Sequence, residues 1–162
     1  MQALLLFLAL LLALSAAHKL AAPQRMGEVA ARLAGVPSSL GPALAFAAAG
    51  IEGIAALALL LEPTRLGGGV AAAALWSGYG VLLFVRRGQT LDCGCDLARR
   101  SKRVGWQAIV RPLLLAAFAL CAVLLPFDLA WRIDTPFAAL ALLALWFAAA
   151  ELGAISVPAR SR

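Results

Sequence analysis

Five stretches of apolar residues, each close to the length a helix needs to cross a hydrocarbon core, leave this chain few ways to fold. They run over residues 3–20, 42–61, 66–85, 106–127 and 135–153, and about 20 residues suffice for a span. Leucine and alanine fill them, and both favour helix. Strand-like alternation is absent, which argues against a barrel. With 64% apolar and 14% charged residues and a mean hydropathy of +0.93, 162 residues cannot hide this much apolar surface in a water-soluble core. The expected architecture is an all-α integral membrane protein, one compact bundle of about five transmembrane helices.

The connections carry the punctuation. Glu62-Pro63-Thr64-Arg65 reads as a tight turn, and Gly67-Gly68-Gly69 as a loose entry to the third span. Pro126-Phe127-Asp128 ends the fourth span. Asp134-Thr135-Pro136 opens the fifth with a capping residue and an early proline. Between the first two spans, Met26, Val29, Ala30 and Leu33 fall on one helical face, with Arg25, Glu28 and Arg32 on the other. That predicts a short amphipathic helix in the membrane interface, or else a solvated helical loop.

A net charge of +6 would suggest nucleic acid in a soluble protein. Here the basic residues flank apolar spans, so they report topology and contact with membrane lipid, and no nucleic-acid partner is expected. Residues 4–17 resemble the apolar core of a signal peptide, and Ser15-Ala16-Ala17 a cleavage site. Charge speaks for keeping that span. With five spans and the N-terminus outside, all 14 Lys and Arg residues but Arg65 and Arg132 fall inside. The expected orientation is N-out and C-in.

The chemistry-bearing feature is Cys93-Gly94-Cys95, in the polar segment between the third and fourth spans. Basic neighbours such as Arg86, Arg87, Arg99 and Arg100 favour the thiolate, while Asp92 and Asp96 oppose it. A disulfide between residues i and i+2 needs a tight turn, which glycine permits. Such a small strained ring is easily reduced. The pair therefore suits thiol–disulfide exchange better than stapling. A soft-metal site is a weaker reading, because a closed zinc site wants four ligands at wider spacing and the one histidine, His18, ends another span. Cys121 lies 15 residues past Trp106, roughly 22 Å into the membrane, and reads as a small buried side chain.

Polar residues inside the spans are the other candidates. Glu52 sits mid-span, where an acid is costly and faces a partner inside the bundle. It serves either as a hydrogen-bonding strut or in a functional role. His18 and Lys19 close the first span and Arg111 opens the fourth. Lys19 and Arg111 are expected to snorkel to the interface, with a lipid head group or quinone as an alternative ligand. Trp106 and Trp131 suit the aromatic belt, whereas Trp76 and Trp146 are deeper and should pack between helices.

Ser15 to Lys19, Glu52, Asp92-Cys93-Gly94-Cys95 and Arg111 together resemble the methylamine utilisation protein MauE family, grouped with DoxX-like redox-associated membrane proteins. The resemblance covers residues 4–125, with 135–153 as an additional span on a four-helix core in one domain over 1–162. It implies a bacterial inner-membrane protein that assists maturation of methylamine dehydrogenase, whose small subunit is rich in disulfides, beside a thioredoxin-like partner, MauD. The family pattern continues Cys-x-Cys-Phe-Gly, whereas Asp96-Leu97 follow here. Two rival readings are a non-catalytic assembly factor and a small transporter using Glu52.

Overall fold

Helices are the elements this sequence can form in lipid, because each closes its own backbone hydrogen bonds. The computed structural model describes residues 2–91, 102–125 and 133–155. Six helices follow in order: α1 (Gln2–Ala21), α2 (Pro23–Ala34), α3 (Gly41–Leu60), α4 (Arg65–Val85), α5 (Trp106–Leu124) and α6 (Thr135–Ile155). All but α2 are long and apolar enough to cross a membrane, and the protein is an all-α, multi-pass membrane protein. The fourth span stops at Leu124, short of the expected residue 127. Residues 126–132, including Pro126-Phe127-Asp128 and Trp131, lie outside the described residues.

α1 packs along α3 and α4 along α5, and the α3–α4 contact joins the two pairs. The start of α1 (Gln2, Leu5) shares a small recess with Leu59 and Leu60 at the end of α3, so these helices run antiparallel. The seams are narrow, with Ala55, Ala56, Ala72, Ala116 and Ala119 facing Leu8, Leu12 and Trp76. Large side chains such as Ile54 and Leu57 point outward instead. That inversion belongs to a lipid-solvated bundle, where close packing rather than water expulsion holds helices together. α6 is the most peripheral, with 11% of its apolar window buried. It leans on α1 through an edge-to-face contact between Phe7 and Trp146. Trp76 is buried between helices, as expected.

α2 is a helix, with Pro23 in its first turn and Gly35 ending it in the left-handed conformation (φ 72°). It is a strap seated on α3 rather than a free interfacial helix: Met26, Gly27 and Ala31 are buried against its neighbours, while Glu28 and Arg32 face out. Arg86, just past α4, donates from Nε to the Leu33 carbonyl of α2 (3.4 Å). A guanidinium there meets the negative end of the helix dipole. The bond also places the end of α4 beside the end of α2.

The glycine triplet is not a loose entry. Residues 67–69 are already helical, within α4. Gly68 lets α4 approach the end of α3, since a Cβ there would stand 2.7 Å from the Leu59 nitrogen and 2.8 Å from the Ala58 carbonyl carbon. Gly67, one residue earlier, has nothing within 4 Å of its Cβ position. We therefore expect Gly68→Ala to destabilise the purified protein by about 1–3 kcal/mol. Gly67→Ala should be neutral or stabilising by up to about 1 kcal/mol. Thermal unfolding in detergent compares the two, and equal midpoints would refute the close approach.

Candidate functional site

A carboxylate in the middle of a span needs a counter-charge or a proton. Glu52 is 1% exposed on α3, and the bundle supplies the counter-charge. Lys19 Nζ, near the end of α1, lies 2.7 Å from both Oε1 and Oε2. The geometry follows from helix architecture. Every Cα–Cβ bond tilts toward its own helix N-terminus. In antiparallel α1 and α3, Lys19 and Glu52 thus lean toward each other. Lys19 does not snorkel to the interface, because reaching for water would leave Glu52 buried without a partner.

Two more side chains complete the cluster. Ser15, one turn before Lys19, accepts from Nζ (2.7 Å) and donates to Glu52 Oε1 (3.0 Å). Tyr79 of α4 donates to the same oxygen (2.9 Å), with its ring 5.6 Å from the ammonium. All three ammonium hydrogens then have acceptors, and Oε1 receives three donors. A network satisfied this fully clamps α1, α3 and α4 at one level. It leaves no spare donor on Lys19 for a transported ion.

The other intramembrane candidates are not part of it. Arg111 donates to the Ala149 carbonyl of α6 (3.1 Å), tying the peripheral helix to α5 instead of reaching for a head group. His18 is half-buried, and its Nε2 has no hydrogen-bond partner among the described residues. Cys121 is exposed on the bundle surface rather than buried. Among the described residues no three His, Cys, Asp or Glu side chains gather to hold a metal.

Asp92, Cys93, Gly94, Cys95 and Asp96 lie outside the described residues. Their surroundings are described, however. Strand β1 (Thr90–Leu91) pairs antiparallel with β2 (Lys102–Arg103), Thr90 opposite Arg103 and Leu91 opposite Lys102. Two backbone bonds extend the ribbon: Gly88 N–H to the Val104 carbonyl (3.1 Å) and Val104 N–H to that of Gln89 (2.9 Å). Buried Val104 packs with Leu83 of α4 and Ile109 of α5, with Leu33 of α2 against them. The ribbon thus joins the two ends of segment 92–101 at the head of the bundle, where α2, α4 and α5 meet.

Glu52, His18, Lys19 and Arg111 were legible as polar residues in or beside apolar spans, but Ser15 and Tyr79 were not singled out as their partners. Two signals were available: Tyr79 is the only tyrosine of the chain, and Ser15 precedes Lys19 by one helical turn.

The description "Methylamine utilisation protein MauE" belongs to the family model that matches residues 1–126. A methylamine utilization protein MauE from Paracoccus denitrificans is 32% identical over 121 residues. That match covers 73% of this chain and 65% of the relative, so the chain spans under two thirds of the relative's length. No solved structure matches. The family match covers α1 to α5 and stops before α6.

The cluster makes a double-mutant prediction. Lys19→Met leaves a buried carboxylate unpaired and should cost about 3–5 kcal/mol. Tyr79→Phe, which removes one donor, should cost about 1–3 kcal/mol. Lys19→Met combined with Glu52→Gln should recover most of the loss from Lys19→Met alone. Unfolding midpoints in detergent test this, and strict additivity would mean that the two side chains are not coupled.

Proposed function

The chain belongs to the methylamine utilisation protein MauE family, and on that premise we propose that it is a membrane accessory of methylamine utilisation that exchanges thiols and disulfides through Cys93 and Cys95. One observation carries the reading. Two cysteines separated by glycine occupy a ten-residue segment, 92–101, whose ends a ribbon holds together at the head of a membrane bundle. Paired strands set their Cα atoms about 5 Å apart, so Leu91 and Lys102, which flank the segment, stand side by side. A strained, readily reduced pair fits a carrier that must pass its disulfide on.

The step balances as an exchange. A client thiolate attacks one sulfur of the Cys93–Cys95 disulfide and releases the other as a thiolate. A second client thiol then resolves the mixed disulfide. The client loses two electrons and the pair gains them. A thioredoxin-like partner of the MauD kind, in its disulfide form, restores the pair by the same reaction, with a quinone as the alternative acceptor. The proposed client is the disulfide-rich small subunit of methylamine dehydrogenase, or another exported protein. The proposed setting is the bacterial inner membrane. Charge counting gives N-out and C-in, which puts Cys93 and Cys95 on the cytoplasmic face, whereas an oxidant of an exported client needs them on the outer face. Labelling the thiols from either side with a membrane-impermeant reagent decides between the two.

The Glu52 cluster supports a transporter reading poorly, because its donors and acceptors already satisfy one another. A non-catalytic assembly role separates from exchange by experiment. Cys93→Ser, Cys95→Ser and the double variant should each abolish growth on methylamine in a strain lacking the gene, at unchanged protein level. Single variants should trap mixed disulfides that run larger on non-reducing gels and collapse with reductant. Full complementation by the double Cys→Ser variant would overturn the exchange reading and leave assembly.

A further inference from the structure

The end of the bundle that carries the cysteine segment also holds an aromatic shelf that the exchange reading does not use. Trp106 opens α5 and is 55% exposed. Its ring lies 6.3 Å from that of Phe84, near the end of α4, tilted by 43°. The Arg87 guanidinium carbon lies over the Trp106 indole, 4.4 Å from the ring centroid. Below the shelf the flank of α4 is apolar and open: Val81, Phe84 and Val85 are all more than half exposed.

From the membrane outward this surface reads as acyl chain, glycerol level and phosphate. Val81, Phe84 and Val85 present side chains to lipid tails. Trp106 stands where a span ends, the level at which indoles partition. Arg87, just past the end of α4, holds its guanidinium over that indole. A cation held over an aromatic ring keeps N–H groups directed away from the ring, and a guanidinium can meet an anion with them bidentately. The other nearby cations with described side chains have other work: Arg86 caps α2, and Arg111 holds α6. No acidic residue lies between Arg86 and Leu91 or between Lys102 and Val110.

We propose that Val81, Phe84, Arg87 and Trp106 form a site for one anionic phospholipid, its phosphate on the Arg87 edge and one acyl chain along α4. The proposal stands independently of the thiol chemistry. A protein with an acidic surface is the rival occupant. The continuous apolar flank beneath the guanidinium favours lipid, because a soluble partner could not reach Val81 without entering the membrane.

The test uses the full chain in nanodiscs of equimolar phosphatidylglycerol and phosphatidylcholine. After mild delipidation in detergent, mass spectrometry counts the lipids that stay bound. The wild type should retain phosphatidylglycerol in excess. Arg87→Gln should lower that excess about fivefold, as expected for one arginine at an anionic surface. Arg32→Gln, which removes an exposed charge from α2 at the same end, should leave it unchanged. Arg87→Lys, which keeps the charge without a flat fork, should fall between wild type and Arg87→Gln. It also serves as the reporter if Arg87→Gln does not fold. Equal retention of both lipids by the wild type would overturn the site. So would equal losses for Arg87→Gln and Arg32→Gln, which would reduce it to diffuse surface charge.

Discussion

Glu52 cannot be left alone, and much of the arrangement of α1, α3 and α4 follows from that. A carboxylate 1% exposed in the middle of a span has to find a cation or take up a proton. Lys19 meets the need only if α1 and α3 run antiparallel and in one register, because both side chains must lean inward from their own helices. Ser15 then falls within reach by helical periodicity, and Tyr79 brings α4 to the same level. Apolar contact between alanine-rich seams is nearly indifferent to sliding. A charged hydrogen-bonded network is not, and fixing a register is the best-attested use of buried polar groups.

The Glu52 cluster and the cysteines of the proposed exchange belong to different parts of the chain. The intramembrane charge is spent on holding three helices together. The segment that carries Cys93 and Cys95 follows α4 in the sequence, and the end of α4 shares a small second core of Leu83, Val104 and Ile109 with the start of α5. α2 links the two regions. It packs on α3, which carries Glu52, and its C-terminal end is capped by Arg86, which precedes the ribbon. α1 is integral to the same packing. It contributes Leu8 and Leu12 to the core and Lys19 to the clamp.

Element positions were legible in the sequence because lipid leaves one solution per apolar stretch, and α1 to α6 begin and end within a few residues of the expected limits. Tertiary roles were less so. Lys19 at a span end looks like any snorkelling lysine, and only the relative register of two helices shows that an acid lies below it. The glycines at 67–69 look like a hinge, since sequence does not reveal that the backbone of α3 passes 2.7 Å from where one Cβ would stand. Cys121 was misplaced for a related reason: in lipid the outward face is as apolar as the inward one, so hydrophobicity no longer reports burial. The Cys-Gly-Cys pair was visible at once, because its signal is local and chemical.

That distinction bears on the orientation proposed for the chain. The positive-inside argument gives every cation equal weight, yet the described cations are employed differently. Lys19 is neutralised by Glu52 within the bundle and exerts little pull on either side. Arg86 faces the negative end of α2, and Arg111 meets the Ala149 carbonyl, so part of their charge is answered locally. Of the described cations, the bias then rests on Arg32 and Arg87, both exposed, to which the sequence adds the basic run from Arg99 to Arg103. Against these the charge count sets Arg65 and Arg132. Setting aside the cations with internal partners therefore weakens the count without reversing its direction.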